Sequence, residues 1–191
     1  LFRTRVMRKL QGDELVKKAV KAIKAGNLVI YPTETVYGIG ADAFSKSAIV
    51  KVYEVKGRDF RSPISVAVSD YEMLEEVAIV ETAEEEFFIK QLLPGPVTLL
   101  LRRRPSLPDI LTGGSELVGV RLPEHELARK IINATGPITS TSANISGRKP
   151  PTRIEEVDEG LRREIHVVID GGISKYGKPS TVVDLKSKKI I

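Results

Sequence analysis

The chain has 191 residues, 41% hydrophobic and 29% charged, which is the size and make-up of one globular domain with a sizeable core. The absence of Cys excludes disulfides and thiolate metal sites, two His argue against a histidine metal centre, and no run approaches the ~18 apolar residues that span a membrane. A net charge of +5, from 30 Lys and Arg against 25 Asp and Glu, favours an anionic partner without choosing between nucleic acid and a phosphorylated small molecule.

In chain order, Leu1-Phe2-Arg3-Thr4-Arg5 shows no signal-peptide h-region, so a cytoplasmic location is the expectation. Asp13 to Ala25 predicts a helix: Leu15, Val16, Ala19, Val20 and Ile23 make one apolar face, and Lys17, Lys18, Lys21 and Lys24 a solvated one. Gly26-Asn27 stops it, and Leu28 to Tyr31 is a buried strand ended by Pro32. Directly behind that strand stand Thr33, Glu34, Thr35, Gly38 and Gly40, hydroxyls, a carboxylate and glycines that no core needs. Ser45 caps a helix to about Glu54, and Lys56-Gly57-Arg58 follows it. Ile64 to Val68 is a strand. Asp70 opens a helix through Met73, Leu74 and Val77, and Thr82-Ala83-Glu84-Glu85 opens another that Pro94-Gly95-Pro96 ends. Val97 to Leu101 is a strand running into Arg102-Arg103-Arg104, and a long loop with Pro105, Pro108 and Gly113-Gly114 comes next. Val118 to Leu122 is a short strand carrying Arg121, and Pro123 suits the first turn of a helix that ends near Gly136-Pro137. Ile138 to Thr141 is a strand opening into Ser142-Ala143-Asn144. Thr152-Arg153-Ile154-Glu155 has capping-box spacing for a helix to about Gly160, and Val167 to Asp170 and Thr181 to Leu185 are the last strands. At least six strands alternate with five helices, which predicts a single α/β domain on a twisted, mixed sheet.

Two nucleotide motifs almost match and fail on physical grounds. Gly172 to Ser180 resembles a P-loop, but Pro179 separates Lys178 from the hydroxyl, and a strand follows where a helix N-terminus is needed. Gly38-Ile39-Gly40 resembles a dinucleotide fingerprint, yet six residues separate it from its strand. His125 and His166 read as surface or structural residues. Arg102 to Arg104 reads as a solvated strand end, since 5% aromatic residues provide few stacking platforms for RNA bases.

The ordered set is more specific than its parts: Pro32-Thr33-Glu34-Thr35-Val36-Tyr37-Gly38, Lys56-x-Arg58, Val120-Arg121-Leu122-Pro123, Ser142-x-Asn144, Asp170-Gly171-Gly172 and Pro179-Ser180-Thr181-Val182. From about Val16 to Leu185 it resembles the YrdC-domain family of threonylcarbamoyl-adenylate synthases, with residues 1–191 forming one YrdC-like domain. The resemblance implies an α/β fold with a large, positively lined cavity. It also implies a reaction in which L-threonine, bicarbonate and ATP give threonylcarbamoyl-AMP and pyrophosphate. A separate transferase complex then modifies adenosine 37 of tRNA. By matching position, Lys56, Arg58, Ser142 and Asn144 surround ATP, with Lys56 and Arg58 as the catalytic cations. Thr33, Arg121, Ser140 and Ser180 fall on the threonine side.

The residue types suit that chemistry. A carbamate oxygen attacking the α-phosphorus is already an anion, so the reaction needs positioning and cations rather than a strong base. Lys56 and Arg58 supply cations, Mg²⁺ comes with ATP rather than on a protein metal site, and Arg121 can clamp a carboxylate. The sequence departs from the family pattern at Asp59 (usually Pro), Ser62 (often Asn), Ala67 (His in many longer members) and Pro150 (a small polar residue). It also stops at Ile191, before a segment that often carries a further ATP-contacting Arg. Two other readings stand beside the synthase: a non-catalytic module binding tRNA or double-stranded RNA, and a carbamoyl-transfer domain of the hydrogenase-maturation type.

Overall fold

The computed structural model describes residues 5–7, as backbone only, and 12–191. In chain order the elements are β1 (Arg5–Met7), α1 (Gly12–Lys24), β2 (Val29–Tyr31), β3 (Gly38–Gly40), α2 (Lys46–Lys56), β4 (Ser65–Ala67), α3 (Tyr71–Val77), β5 (Ala78–Ile79), α4 (Ala83–Leu92) and β6 (Val97–Arg103). They continue with α5 (Asp109–Thr112), β7 (Leu117–Arg121), α6 (Glu126–Thr135), β8 (Ile138–Ser142), a 3₁₀ turn (Ile154–Glu156), α7 (Glu159–Arg163), β9 (Val167–Ile169), β10 (Thr181–Asp184) and β11 (Lys189–Ile190). The strands form one mixed sheet in the order β1-β9-β2-β3-β8-β4-β7-β6-β10-β11, with β5 pairing to β6. The α/β expectation holds.

Local chemistry explains most boundaries. Ser45, Asp70 and Thr82 each accept a backbone N–H three residues on, from Ala48, Met73 and Glu85. Glu85 reaches back to the N–H of Glu81 at 2.6 Å, one residue earlier than in a standard capping box. α1 carries Asp13 and Glu14 in its first turn and Lys21 and Lys24 in its last, complementing its dipole, and buries Leu15, Ala19, Ala22 and Ile23.

One expected helix needs correction, and one strand is added. The helix anticipated from Thr152 to Gly160 is instead a short 3₁₀ turn followed by α7, which Asp158 caps through the Leu161 N–H at 3.1 Å. Thr152 spends its N–H and hydroxyl on the Glu156 carboxylate, at 2.8 and 3.0 Å, so it closes a turn and starts no helix. Gly38-Ile39-Gly40, to which the sequence assigns no element, is β3, paired antiparallel with both β2 and β8. A Cβ at Gly38 or Gly40 would sit 3.1–3.2 Å from the Tyr31 ring. Both glycines therefore let that ring lie across β3, and its hydroxyl reaches the Thr139 carbonyl of β8 at 3.3 Å.

Candidate active site

The middle of the sheet positions the predicted residues. Ser65 of β4 pairs with Ser140 of β8, Ala67 with both Ile138 and Arg121, and Gly38 with Ser142. The side chains of Ser65, Ser140, Ser142 and Arg121 thus share one sheet face. Ser65, Ser140 and Ser142 are only half-buried although they stand at the centre of a wide sheet. One register step beyond Leu99 and Val120, Thr98 comes beside Arg121, and its hydroxyl meets that of Ser180 at 2.7 Å.

One end of this face is built by α2. Gly57 adopts φ 56° and ends the helix in the left-handed turn that glycine favours, between the two cations. Lys56 therefore points inward from the last turn, 1% exposed, while Arg58 stands half-buried beyond it. The Lys56 ammonium donates to the Ser142 carbonyl, to the Asn144 carbonyl at 2.7 Å and to Asn144 Oδ1 at 3.4 Å. Its own carbonyl accepts the Ser146 N–H at 2.8 Å. The Asn144 amide closes the turn by donating to the Ile145 and Arg148 carbonyls. Arg58 donates to the carbonyls of Ser62 at 3.2 Å and Pro63 at 2.8 Å, and Asp59 is taken by Arg61 at 3.0 Å. Both cations are thus held by uncharged oxygens. Burial, aided by the neighbouring Arg58, lowers the Lys56 pKa to about 7, while three oxygens around Nζ form the shell of an ammonium.

The other end is built by the turn after β2. Thr33 Oγ1 meets Thr35 Oγ1 at 2.8 Å and the Val36 carbonyl at 2.7 Å, and it accepts the N–H groups of Thr35 and Val36. This turn presents Glu34 and Thr35 to Arg121, whose Nη2 donates to Glu34 Oε1 at 2.5 Å and Nη1 to Thr35 Oγ1 at 3.0 Å. Glu34 and Arg121 are 2% and 5% exposed. Burial raises the Glu34 pKa against the opposing pull of Arg121. Tyr37 fixes the same turn from behind: its hydroxyl donates to the Gly172 carbonyl at 2.7 Å and accepts the Gly171 N–H at 2.9 Å.

The structure therefore joins Lys56 to Ser142 and Asn144, Thr33 through Thr35 to Arg121, and Ser180 to Thr98 beside Arg121, with Ser140 between the two ends. Glu34 and Thr35 were not among the residues singled out for roles. Their signal was a carboxylate directly behind a buried strand, where a buried site accepts it only with a cation beside it. A cleft of about 460 Å³ lined by Ser69, His125 and Arg129 holds none of the predicted residues. His125 caps α6 through the Ala128 N–H, a structural role. Gly172 to Ser180 leads straight into β10, so no helix N-terminus faces that loop.

The arginine cluster does not make a basic patch. Arg102 pairs with Glu81 at 2.9 Å, Arg103 with Asp109 at 2.6 Å, and Arg104 donates to the Glu75 carbonyl. Among the described residues, no group of three or more His, Asp and Glu is arranged to hold a metal ion, and no helix is long and apolar enough to cross a membrane.

A sequence model of the Sua5/YciO/YrdC family, described as telomere recombination, matches residues 21–191. The chain belongs to this family. A relative from Methanocaldococcus jannaschii is 39% identical over 184 residues, covering 94% of this chain and 86% of that one. The Pyrococcus abyssi relative named threonylcarbamoyl-AMP synthase is 41% identical over 171 residues, 89% of this chain. This chain spans only 50% of that relative's length. The solved structure of P. abyssi Sua5 complexed with L-threonine superposes with a TM-score of 0.89 at 38% identity, over 96% of this chain and 55% of that one.

Proposed function

We propose that this Sua5/YciO/YrdC domain is an L-threonylcarbamoyladenylate synthase. The observation that carries the reading is the Lys56 ammonium bound to the Ser142–Asn144 turn, which unites two distant motifs in one positively charged corner. Its support from relatives is the synthase name of the P. abyssi protein and the L-threonine in the Sua5 complex.

In this reading L-threonine and bicarbonate condense to a carbamate with loss of water, and a carbamate oxygen attacks the α-phosphorus of MgATP with pyrophosphate leaving. Lys56 and Arg58 meet the phosphates, where charge develops in the transition state. Ser142 and Asn144 orient the nucleotide. Arg121, with Thr33, Ser140 and Ser180 around it, receives the amino acid. The product is consumed by a separate complex that modifies adenosine 37 of tRNA in the cytoplasm. The engaged state of Arg102 to Arg104 weighs against the RNA-binding module, and the relatives' naming against the carbamoyl-transfer reading.

The test is an omission series. Pyrophosphate and an AMP-linked product should form only when ATP, L-threonine and bicarbonate are present together. L-Serine, one methyl smaller, should be turned over weakly, since a methyl contact discriminates by only ~1–3 kcal/mol. Release without bicarbonate, or none with all three substrates, rejects the synthase.

A further inference from the structure

The Glu34–Arg121 pair is closed at one prong only. Oε1 and Nη2 meet, but Oε2 and Nε, both buried, have no hydrogen-bond partner. A bidentate pair would have used all four atoms. The guanidinium carries five N–H donors, of which Glu34 and Thr35 occupy one each, so its plane is fixed from two sides while donors remain uncommitted. The carboxylate also removes the net charge that a bare Arg121 would present. Of the neighbouring polar side chains at this end, Thr33, Thr35, Thr98 and Ser180 are neutral hydroxyls, and Glu124, whose charge reaches Glu34, is itself paired with Lys175 at 3.5 Å.

We propose that Glu34 is a positioning and specificity residue for the amino-acid end of the site: it orients Arg121 and cancels its charge. The site therefore takes a zwitterionic α-amino acid and rejects the same acid without its amine. An uncompensated arginine would attract any carboxylate. A guanidinium with a resident counter-ion leaves no net charge for a lone carboxylate to neutralise, whereas a zwitterion brings its own opposite charge. Glu34 acts through Arg121 and is not assigned a contact with substrate. The inference rests on the synthase reading, in which Arg121 receives the amino acid.

The experiment compares L-threonine with 3-hydroxybutyrate, which is threonine lacking the α-amine, by calorimetric binding to the full chain and by inhibition of pyrophosphate release. The parent should prefer threonine at least tenfold. In Glu34→Gln the preference should fall to about threefold or less, because 3-hydroxybutyrate binds more tightly, while KM for ATP stays within twofold. A merely structural role for Glu34 would move both KM values together and leave the preference intact, and that result overturns the inference. Glu34→Asp keeps the charge and decides the matter if Glu34→Gln does not fold: threonine should bind more weakly with the preference retained, and a lost preference overturns the proposal. A parent that binds threonine but releases no pyrophosphate strikes the synthase reading and leaves the binding comparison to judge this one. A parent that does not bind threonine overturns both.

Discussion

Two buried cations sit at the two ends of one sheet face, and the protein treats them in opposite ways. Lys56 is wrapped in carbonyl and amide oxygens with Arg58 nearby, so that end keeps a net positive charge. Arg121 is held by a carboxylate and a hydroxyl, so its end is close to neutral. A polyanion such as ATP is served by the first arrangement and a zwitterion by the second. Fold alone does not dictate the difference. It follows from which residue type the chain sets beside each cation.

The comparison breaks most visibly in stability. Arg121→Met leaves Glu34 buried without its partner and should cost ~3–5 kcal/mol by urea denaturation, whereas Glu34→Leu/Arg121→Met should recover most of that loss. If the single variant is as stable as the parent, the pair is not what holds this end. The second largest effect lies at the other end and in turnover. Lys56→Met removes charge-assisted bonds worth roughly 1.5–3 kcal/mol and should cut pyrophosphate release on the order of a hundredfold. Arg58→Ala, which frees two carbonyls that water can reach, should cost about tenfold.

A smaller effect sharpens the contrast through pH. Lys56, with its pKa lowered to about 7, binds fewer protons folded than unfolded between about pH 7 and 10.5, so stability should rise with pH across that window. Glu34, with a raised pKa, binds more protons folded than unfolded just above the ordinary Glu range, so stability should fall as pH rises there. Lys56→Met should abolish the alkaline gradient alone and Glu34→Gln the acidic one alone. A flat alkaline profile in the parent would mean that the oxygen shell keeps Lys56 charged throughout. Smallest of all, Thr82→Ala removes a cap far from both ends and should cost ~1 kcal/mol with turnover unchanged.

What was legible beforehand follows the same division. The pairing of Lys56 with Ser142 and Asn144 joins two motifs readable as short patterns, and the caps at Ser45, Asp70 and Thr82 sit beside the hydrophobic runs they start. β3 was hidden because Gly-Ile-Gly has neither alternation nor β-branched bulk, and its strand character comes from the neighbours on both sides. Thr152 was misread because its spacing to Glu155 fits a capping box, while its bonds go to Glu156. The Glu34–Arg121 pair joins residues 87 positions apart in the chain, and no local pattern names the partner of a buried carboxylate.

The sheet order also sets a timetable for synthesis. β2 and β3, a hairpin, are the first paired neighbours of the sheet to be synthesised, yet the hairpin's outer neighbours, β8 and β9, lie about a hundred residues or more downstream. At a ribosomal pace of ~5–20 residues per second, the hairpin waits on the order of 5–20 s with both edges unpaired. Open edges invite pairing with other nascent chains. Slowing translation ahead of Ile138 should therefore lower soluble yield more than the same delay placed after Ile169, because by then both edges are claimed.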